Sequence, residues 1–251
     1  MERKKYNKNY FESEDALEDY PYKVEISIQK KYEKIEQFFN LLFPNVILEK
    51  AKKESKEEQE KRNLEKNNFI YGETTFRTIS YILEYLSNIL KINSNGYFYD
   101  FGSGTGKGII SAVLSKYFTK YIGIEFLNSL YESSIKIQKN FEELFPNYYK
   151  ENNNILPNFN NQKPNIEFIH GDFLEENISN ASFIFMNSSC FTDDLLLKLS
   201  QKFNNECKSG CIIVNTTVII PNLNKNNWDE IPYFRRYMSW GIATLNIYVK
   251  K

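Results

Sequence analysis

The chain has one histidine, three cysteines and no long apolar run, and each shortage closes a class of function. With His170 as the single imidazole, a serine or cysteine triad lacks its usual base and a metal hydrolase lacks its commonest ligands. No metal site is expected, and the ordinary place for His170 is a polar position closing a strand. Cys190, Cys207 and Cys211 are odd in number and show no C-x-x-C spacing, which argues against a disulfide framework or structural zinc and fits a reducing compartment. The longest apolar runs, such as Cys211 to Val214, are far too short to span a bilayer, and the opening Met-Glu-Arg-Lys-Lys-Tyr has no apolar stretch behind its charges. A soluble, unsecreted protein without a membrane partner is expected. Charge of one sign is missing too: Lys+Arg and Asp+Glu both total 32, so nucleic acid would be met only weakly, through local patches.

What is present is a glycine loop with an acid on either side of it. Tyr97-Phe-Tyr-Asp-Phe-Gly-Ser-Gly-Thr-Gly106 reads as an aromatic strand ending at Asp100, then glycines that let backbone approach a ligand. Lys107 to Phe118 reads as a helix whose N-terminus faces that ligand. Glu125, closing the next strand (Tyr121-Ile-Gly-Ile-Glu125), stands where it can accept hydrogen bonds from both hydroxyls of a ribose. Gly102, Gly104 and Gly106 follow G-x-G-x-G rather than the dinucleotide G-x-G-x-x-G, with Asp100 two residues ahead. That pattern resembles the S-adenosylmethionine (SAM) site of class I methyltransferases, where the ligand offers an amino acid head and a carboxylate helps hold its ammonium. Methyl transfer from a sulfonium depends on alignment and a deprotonated nucleophile, so a histidine-poor chain can catalyse it.

At 251 residues there is room for one α/β domain of ordinary core size and an N-terminal extension, divided here as 1–66 and 67–251. The extension reads as a loose arm, a helix within Val24 to Phe43, and a charged segment Glu49 to Lys66. Glu49 with Lys53, Glu57 with Lys61 and Glu58 with Arg62 are spaced four apart, so that segment is expected to be a solvated helix or charged linker. From Phe69 the texture changes. A helix is expected over Thr74 to Leu90, and others near Leu127 to Leu144 and Asp193 to Asn204. Strands are expected at Tyr97–Asp100, Tyr121–Glu125, Ile166–His170, Phe183–Met186, Cys211–Asn215 and Leu245–Val249, the rhythm of an open, doubly wound Rossmann-like sheet. Glu151 to Asn165 is asparagine-rich and reads as a surface insertion.

Four further pieces should converge at the carboxyl ends of the strands. Before the first core helix, Gly72 permits a tight backbone, and Glu73, Thr74 and Thr75 can close over the amino acid end of a cofactor; either threonine also suits an N-cap. Asp172 and Phe173, after the third strand, offer an acceptor for the adenine amino group and a ring to cover the base. Asn187, after the fourth strand, can hold an incoming amine or the cofactor, and Phe191 can wall a channel. Tyr237-Met-Ser-Trp-Gly241 is an aromatic cluster before the last strand.

In that order, Tyr71-Gly-Glu-Thr-Thr-Phe76, Asp100-Phe-Gly-Ser-Gly-Thr-Gly106, Tyr121-Ile-Gly-Ile-Glu125, Gly171-Asp-Phe-Leu174, Ile184-Phe-Met-Asn187 and Ser239-Trp240 resemble the catalytic domain of the disruptor-of-telomeric-silencing histone lysine methyltransferases, from about Phe69 onward. The resemblance implies SAM as cofactor, with Tyr71, Gly72, Glu73, Thr74 and Thr75, and Gly102, Ser103, Gly104, Thr105, Gly106 and Lys107, enclosing its methionine part. It also implies Glu125 on the ribose, Asp172 and Phe173 on adenine, and Asn187, Phe191, Trp240 and Tyr71 near the reacting lysine. A histone or nucleosome partner and nuclear residence follow by the same resemblance. Two features differ. The chain has Asn187-Ser-Ser-Cys-Phe191 where the family has Asn-Asn-Phe-x-Phe, and the family's channel tyrosine and strongly basic extension are not evident.

Overall fold

A computed structural model describes residues 26–64, 72–90, 92–160, 162–223, 225–238 and 241–251. Two helices lead, α1 (Ile26–Leu42) and α2 (Asn45–Lys61), separated where Pro44 cannot continue the first. Then come α3 (Phe76–Ile89), β1 (Tyr97–Phe101), α4 (Lys107–Ser115), β2 (Lys120–Glu125), α5 (Asn128–Asn152), β3 (Ile166–His170), β4 (Ala181–Met186), α6 (Asp193–Glu206), β5 (Ile212–Thr216), β6 (Trp228–Met238) and β7 (Gly241–Lys250). The seven strands form one sheet in the order β3-β2-β1-β4-β5-β7-β6, parallel except that β7 runs antiparallel to both neighbours. The chain steps outward from β1 to β2 and β3, then returns to the other side of β1 at β4. That switch opens a crevice at the carboxyl ends of β1 and β4, where open α/β sheets bind ligands.

The six strands read from the sequence all form. The missed one is β6, whose Pro232 and charges hide it: it is an edge strand paired only with β7, and the register shifts between Ile231 and Phe234. α5 also runs past Leu144 and through Pro146 to Asn152. Aromatic packing overrides the proline there: Phe38 stacks on Tyr148 at 4.0 Å and Phe141 on Phe145 at 4.6 Å. The asparagine-rich insertion is less superficial than expected, because Leu156 and Phe159 bury their side chains in the same core.

The division at 66/67 falls outside the described residues. On its N-terminal side, Tyr32, Ile35, Phe38, Phe39, Leu42 and Phe43 of α1 and the residue after it join one core cluster with α3, α4 and the sheet. Burying each such side chain contributes about 1.5–3 kcal/mol, enough to fix α1 on the domain. α2 is docked as well. Ala51 is fully buried against Leu127 and Leu130, and Ser55 is buried beside it, while Lys50–Glu54 (3.6 Å) and Lys53–Glu57 (3.8 Å) face water. The expected solvated helix is therefore solvated on one side only. Its sequence hides this because the buried stripe is made of alanine and serine. Among the described residues, no helix is long and apolar enough to cross a membrane.

Docking of α2 makes a direct prediction. Ala51→Asp, which places an unpaired charge in the seam, should destabilise the fold by about 2 kcal/mol or more. Lys53→Ala on the solvated side should stay within about 0.5 kcal/mol, so denaturant midpoints of the two variants check the orientation.

Candidate active site

The carboxyl ends of β1, β2 and β4 surround a cavity of about 230 Å³. Gly72, Glu73, Thr74, Asp100, Gly102, Ser103, Gly104, Lys107, Glu125, Asp172, Phe173, Asn187 and Phe191, all singled out from the sequence, line it. The glycine loop folds back on β2: the Gly102 and Ser103 N–H groups donate to the Ile124 carbonyl at 2.9 and 3.1 Å. Gly102, Gly104 and Gly106 lie at φ of 74°, 55° and 91°, a left-handed conformation that side chains rarely adopt. Gly106 then starts α4, whose first residues, Lys107 and Gly108, line the cavity.

Glu125 is buried at the centre. Its Oε2 accepts from the Gly104 N–H at 2.8 Å and its Oε1 from the Leu127 N–H at 2.9 Å, so one carboxylate braces the loop and the turn after β2. Burial pushes its pKa up, partly offset by those amides, with the Glu58 charge adding a smaller rise. Asp100 is also buried; burial first, and the Glu125 charge second, raise its carboxyl well above the usual range. Among the described residues no donor meets that carboxylate, so the site carries an unanswered acid that an ammonium would satisfy.

Beside the glycine loop, three groups close the cavity. Lys107 pairs with the Glu73 carboxylate, and the Thr105 hydroxyl donates to the other Glu73 oxygen at 2.7 Å. Lys107 also lies 5.7 Å over the Phe43 ring, which brings the chain after α1 to the edge of the site. Thr74 lines the cavity, whereas the Thr75 hydroxyl caps α3, accepting from the Thr78 N–H at 3.2 Å. Gly106 packs against Phe168 rather than the cavity.

After β3, Asp172 Oδ1 accepts from the Leu174 N–H at 2.8 Å, leaving the second oxygen available. Phe173 stacks between Phe101 (5.0 Å) and Phe191 (5.8 Å), joining the expected base-covering ring to the expected channel ring. Asn187 is held from both ends. Its Nδ2 donates to the Gly72 carbonyl at 2.9 Å, and its Oδ1 accepts from the hydroxyls of Thr216 (2.7 Å) and Ser189 (3.2 Å). Tyr71 and Trp240 lie outside the described residues. Sequence reasoning missed Gly108, Phe126, Leu127, Leu130, Phe185 and Leu195, which also line the cavity. The apolar ones read as ordinary core positions, but Gly108 carried a signal: a second glycine inside a helix start needs a reason. A Cβ there would lie 2.2 Å from Asp100 Oδ2.

The sheet order, glycine loop and acid after β2 together define a class I methyltransferase fold, the SAM-dependent type. The chain belongs to the histone methylation protein DOT1 family, whose model matches residues 55–244. It is similar to "Histone-lysine N-methyltransferase, H3 lysine-79 specific" of Caenorhabditis elegans, at 26% identity over 151 residues. That stretch is 58% of this chain and only 14% of the relative's length. Among solved structures it resembles an RNA methyltransferase from Salinibacter ruber bound to S-adenosylhomocysteine, at 17% identity and a TM-score of 0.43, covering 68% of this chain and 91% of that one. It also resembles the SAM-bound magnesium protoporphyrin IX methyltransferase of Synechocystis PCC 6803, at 10% identity and 0.47, covering 70% and 79%. Likeness of that degree says nothing of the acceptor.

Asp100 sets two opposed effects. A buried carboxyl with a raised pKa costs stability as pH rises from its unfolded value, about 3.9, through its folded one, while only the ionised form attracts an ammonium. Asp100→Asn should therefore raise the neutral-pH melting temperature, by the equivalent of about 1 kcal/mol, and weaken S-adenosylhomocysteine binding at least about tenfold. Wild-type affinity should climb with pH through the raised Asp100 range, and calorimetry of the variant should show that step reduced. Gly108→Ala, although alanine suits helices better by about 1 kcal/mol, should lower both stability and ligand affinity by displacing Asp100.

Proposed function

We propose that this domain transfers a methyl group from SAM to the side-chain amine of a protein lysine, on a core histone within the nucleosome, and works in the nucleus. The observation that carries this reading is a single cavity in which Asp100 and Glu125, suited to the cofactor's ammonium and ribose, share a wall with Asn187 and Phe191. Membership of the histone methylation family supports the acceptor.

The cofactor supplies an electrophilic methyl on a sulfonium; the chain supplies position and environment. Asp100 would hold the ammonium, Glu125 the ribose, and Asp172 with Phe173 the adenine. Lys107 and Glu73 would face the amino acid end. Asn187 draws the Gly72 segment against the end of β4, and because Thr216 and Ser189 fix its amide, the acceptor side of the cavity keeps one shape. Apolar groups there, Phe185, Phe191 and Leu195, exclude water from an entering alkyl stem. Desolvation lowers the pKa of its ammonium, so the neutral amine forms without a dedicated histidine base.

A second reading, in which the acceptor is a non-histone protein or a small amine, is favoured by Ser188-Ser189-Cys190 where the family has an aromatic, and by a formal net charge of zero. Radiolabelled methyl transfer to nucleosomes, free core histones and a fractionated cell extract separates the two. Label on a nucleosomal lysine is expected. Label confined to another protein or a small amine transfers the function to that acceptor, and binding of SAM without any label identifies a silent cofactor-binding module. Asn187→Ala should cut turnover about a hundredfold, the cost of misplacing a reacting group, while cofactor affinity falls less.

A further inference from the structure

The C-terminal end of α2 is built onto the cofactor cavity. Glu58 and Arg62 lie one helical turn apart and both reach the turn that follows β2. The Glu58 carboxylate accepts from the backbone N–H groups of Asn128 (2.9 Å) and Ser129 (2.8 Å), the first two residues of α5, where the helix dipole favours an anion. It also accepts from Arg62 Nη1 at 2.9 Å. Arg62 lays its guanidinium over the Phe126 ring, 4.5 Å from the centroid, and Nη1 stands 3.4 Å from the Phe126 carbonyl. His170 Nε2 approaches the same carbonyl at 3.3 Å, and Ala51 packs on Leu127 and Leu130.

Every residue thus gripped belongs to the cavity wall or adjoins it. Phe126, Leu127 and Leu130 line the cavity, and Phe126 sits between Glu125 and the Leu127 amide that Glu125 accepts from. Glu58 and Arg62 do not themselves line it. An isolated exposed ion pair contributes little, but this pair joins two backbone amides and a ring, and its Glu58 oxygens are shared among three donors.

We propose that Glu58 and Arg62 are positioning residues for cofactor binding: by holding the Glu125–Ser129 turn, they keep Glu125 and Phe126 in the arrangement that takes the ribose and adenine. This rests on the cofactor reading of the cavity. α2 is then the outer support of the cofactor site, coupled to affinity through the turn it holds.

The test is calorimetric titration of the full chain with S-adenosylhomocysteine and, separately, with adenosine, which lacks the amino acid end. Arg62→Ala and Glu58→Gln should raise the dissociation constant for both ligands about fivefold or more, the lower range of coupling between sites. Arg62→Lys, which keeps the charge but loses the planar fork and stacking, should recover only part of that loss. Hydrogen exchange at residues 126–129 should quicken in Arg62→Ala without ligand. A lower melting temperature with unchanged affinity for both ligands would mean the pair is structural only and overturns the proposal. Failure of the wild-type chain to bind S-adenosylhomocysteine would instead remove the cofactor reading, and this proposal with it.

Discussion

One buried carboxylate ties the ligand-facing side of this domain together. Glu125 accepts from the glycine loop through Gly104 and from the following turn through Leu127, while its own carbonyl accepts from Gly171 at 3.0 Å. Three connections, after β1, β2 and β3, thus converge on one residue. Charge-assisted bonds to backbone amides are about twice as strong as neutral ones, and they are what makes a buried acid tolerable here. They add to the bonds that Gly102 and Ser103 donate to the Ile124 carbonyl and Thr105 to Glu73, which together hold the left-handed backbone of a loop whose glycines add no side-chain packing of their own.

That brace sits beside an unresolved electrostatic problem. Asp100 is buried within range of the Glu125 charge, with no donor among the described residues to answer it. Gly108 exists to leave it room, since a Cβ would overlap its oxygen. A chain optimised for stability alone would place an apolar residue there. The site instead keeps two acids in low dielectric, where burial and then the neighbouring Glu125 charge push the Asp100 carboxyl toward its neutral form.

The legible part of this molecule was the part written in local spacing. Gly102, Gly104 and Gly106, the acids at Asp100 and Glu125, and the six alternating strands are all set by neighbours in sequence, and the cavity is lined by most of the residues they announce. What escaped was decided at a distance. β6 contains Pro232 and forms because an edge strand needs hydrogen bonds on one side only. α5 continues through Pro146 because rings from α1 and the asparagine-rich insertion hold its far half. α2 docks through Ala51 and Ser55, whose small side chains give no hydrophobic signal yet let a helix approach closely. Thr75 took the capping role open to it, its hydroxyl accepting from the Thr78 N–H at 3.2 Å.

The Asn187 end of the cavity follows a different logic from the Glu125 end. Where a family aromatic is replaced, Ser189 enters a hydroxyl cluster, 3.0 Å from both Thr216 Oγ1 and Thr217 Oγ1. Thr217 is β-branched yet held at φ 66°, a conformation that costs about 1–3 kcal/mol and persists only when its surroundings over-determine it. They do: its N–H donates to the Thr244 carbonyl at 2.7 Å, and its hydroxyl meets Ser189. Below this, Ser188 donates to the Thr216 carbonyl and accepts from Asn215 Nδ2, while the buried Asn215 Oδ1 has no partner among the described residues. The polar replacement therefore does not loosen the wall. It exchanges the packing of a ring for a net of short hydrogen bonds around Asn187, which keeps the amide fixed while leaving the rim more polar than an aromatic channel.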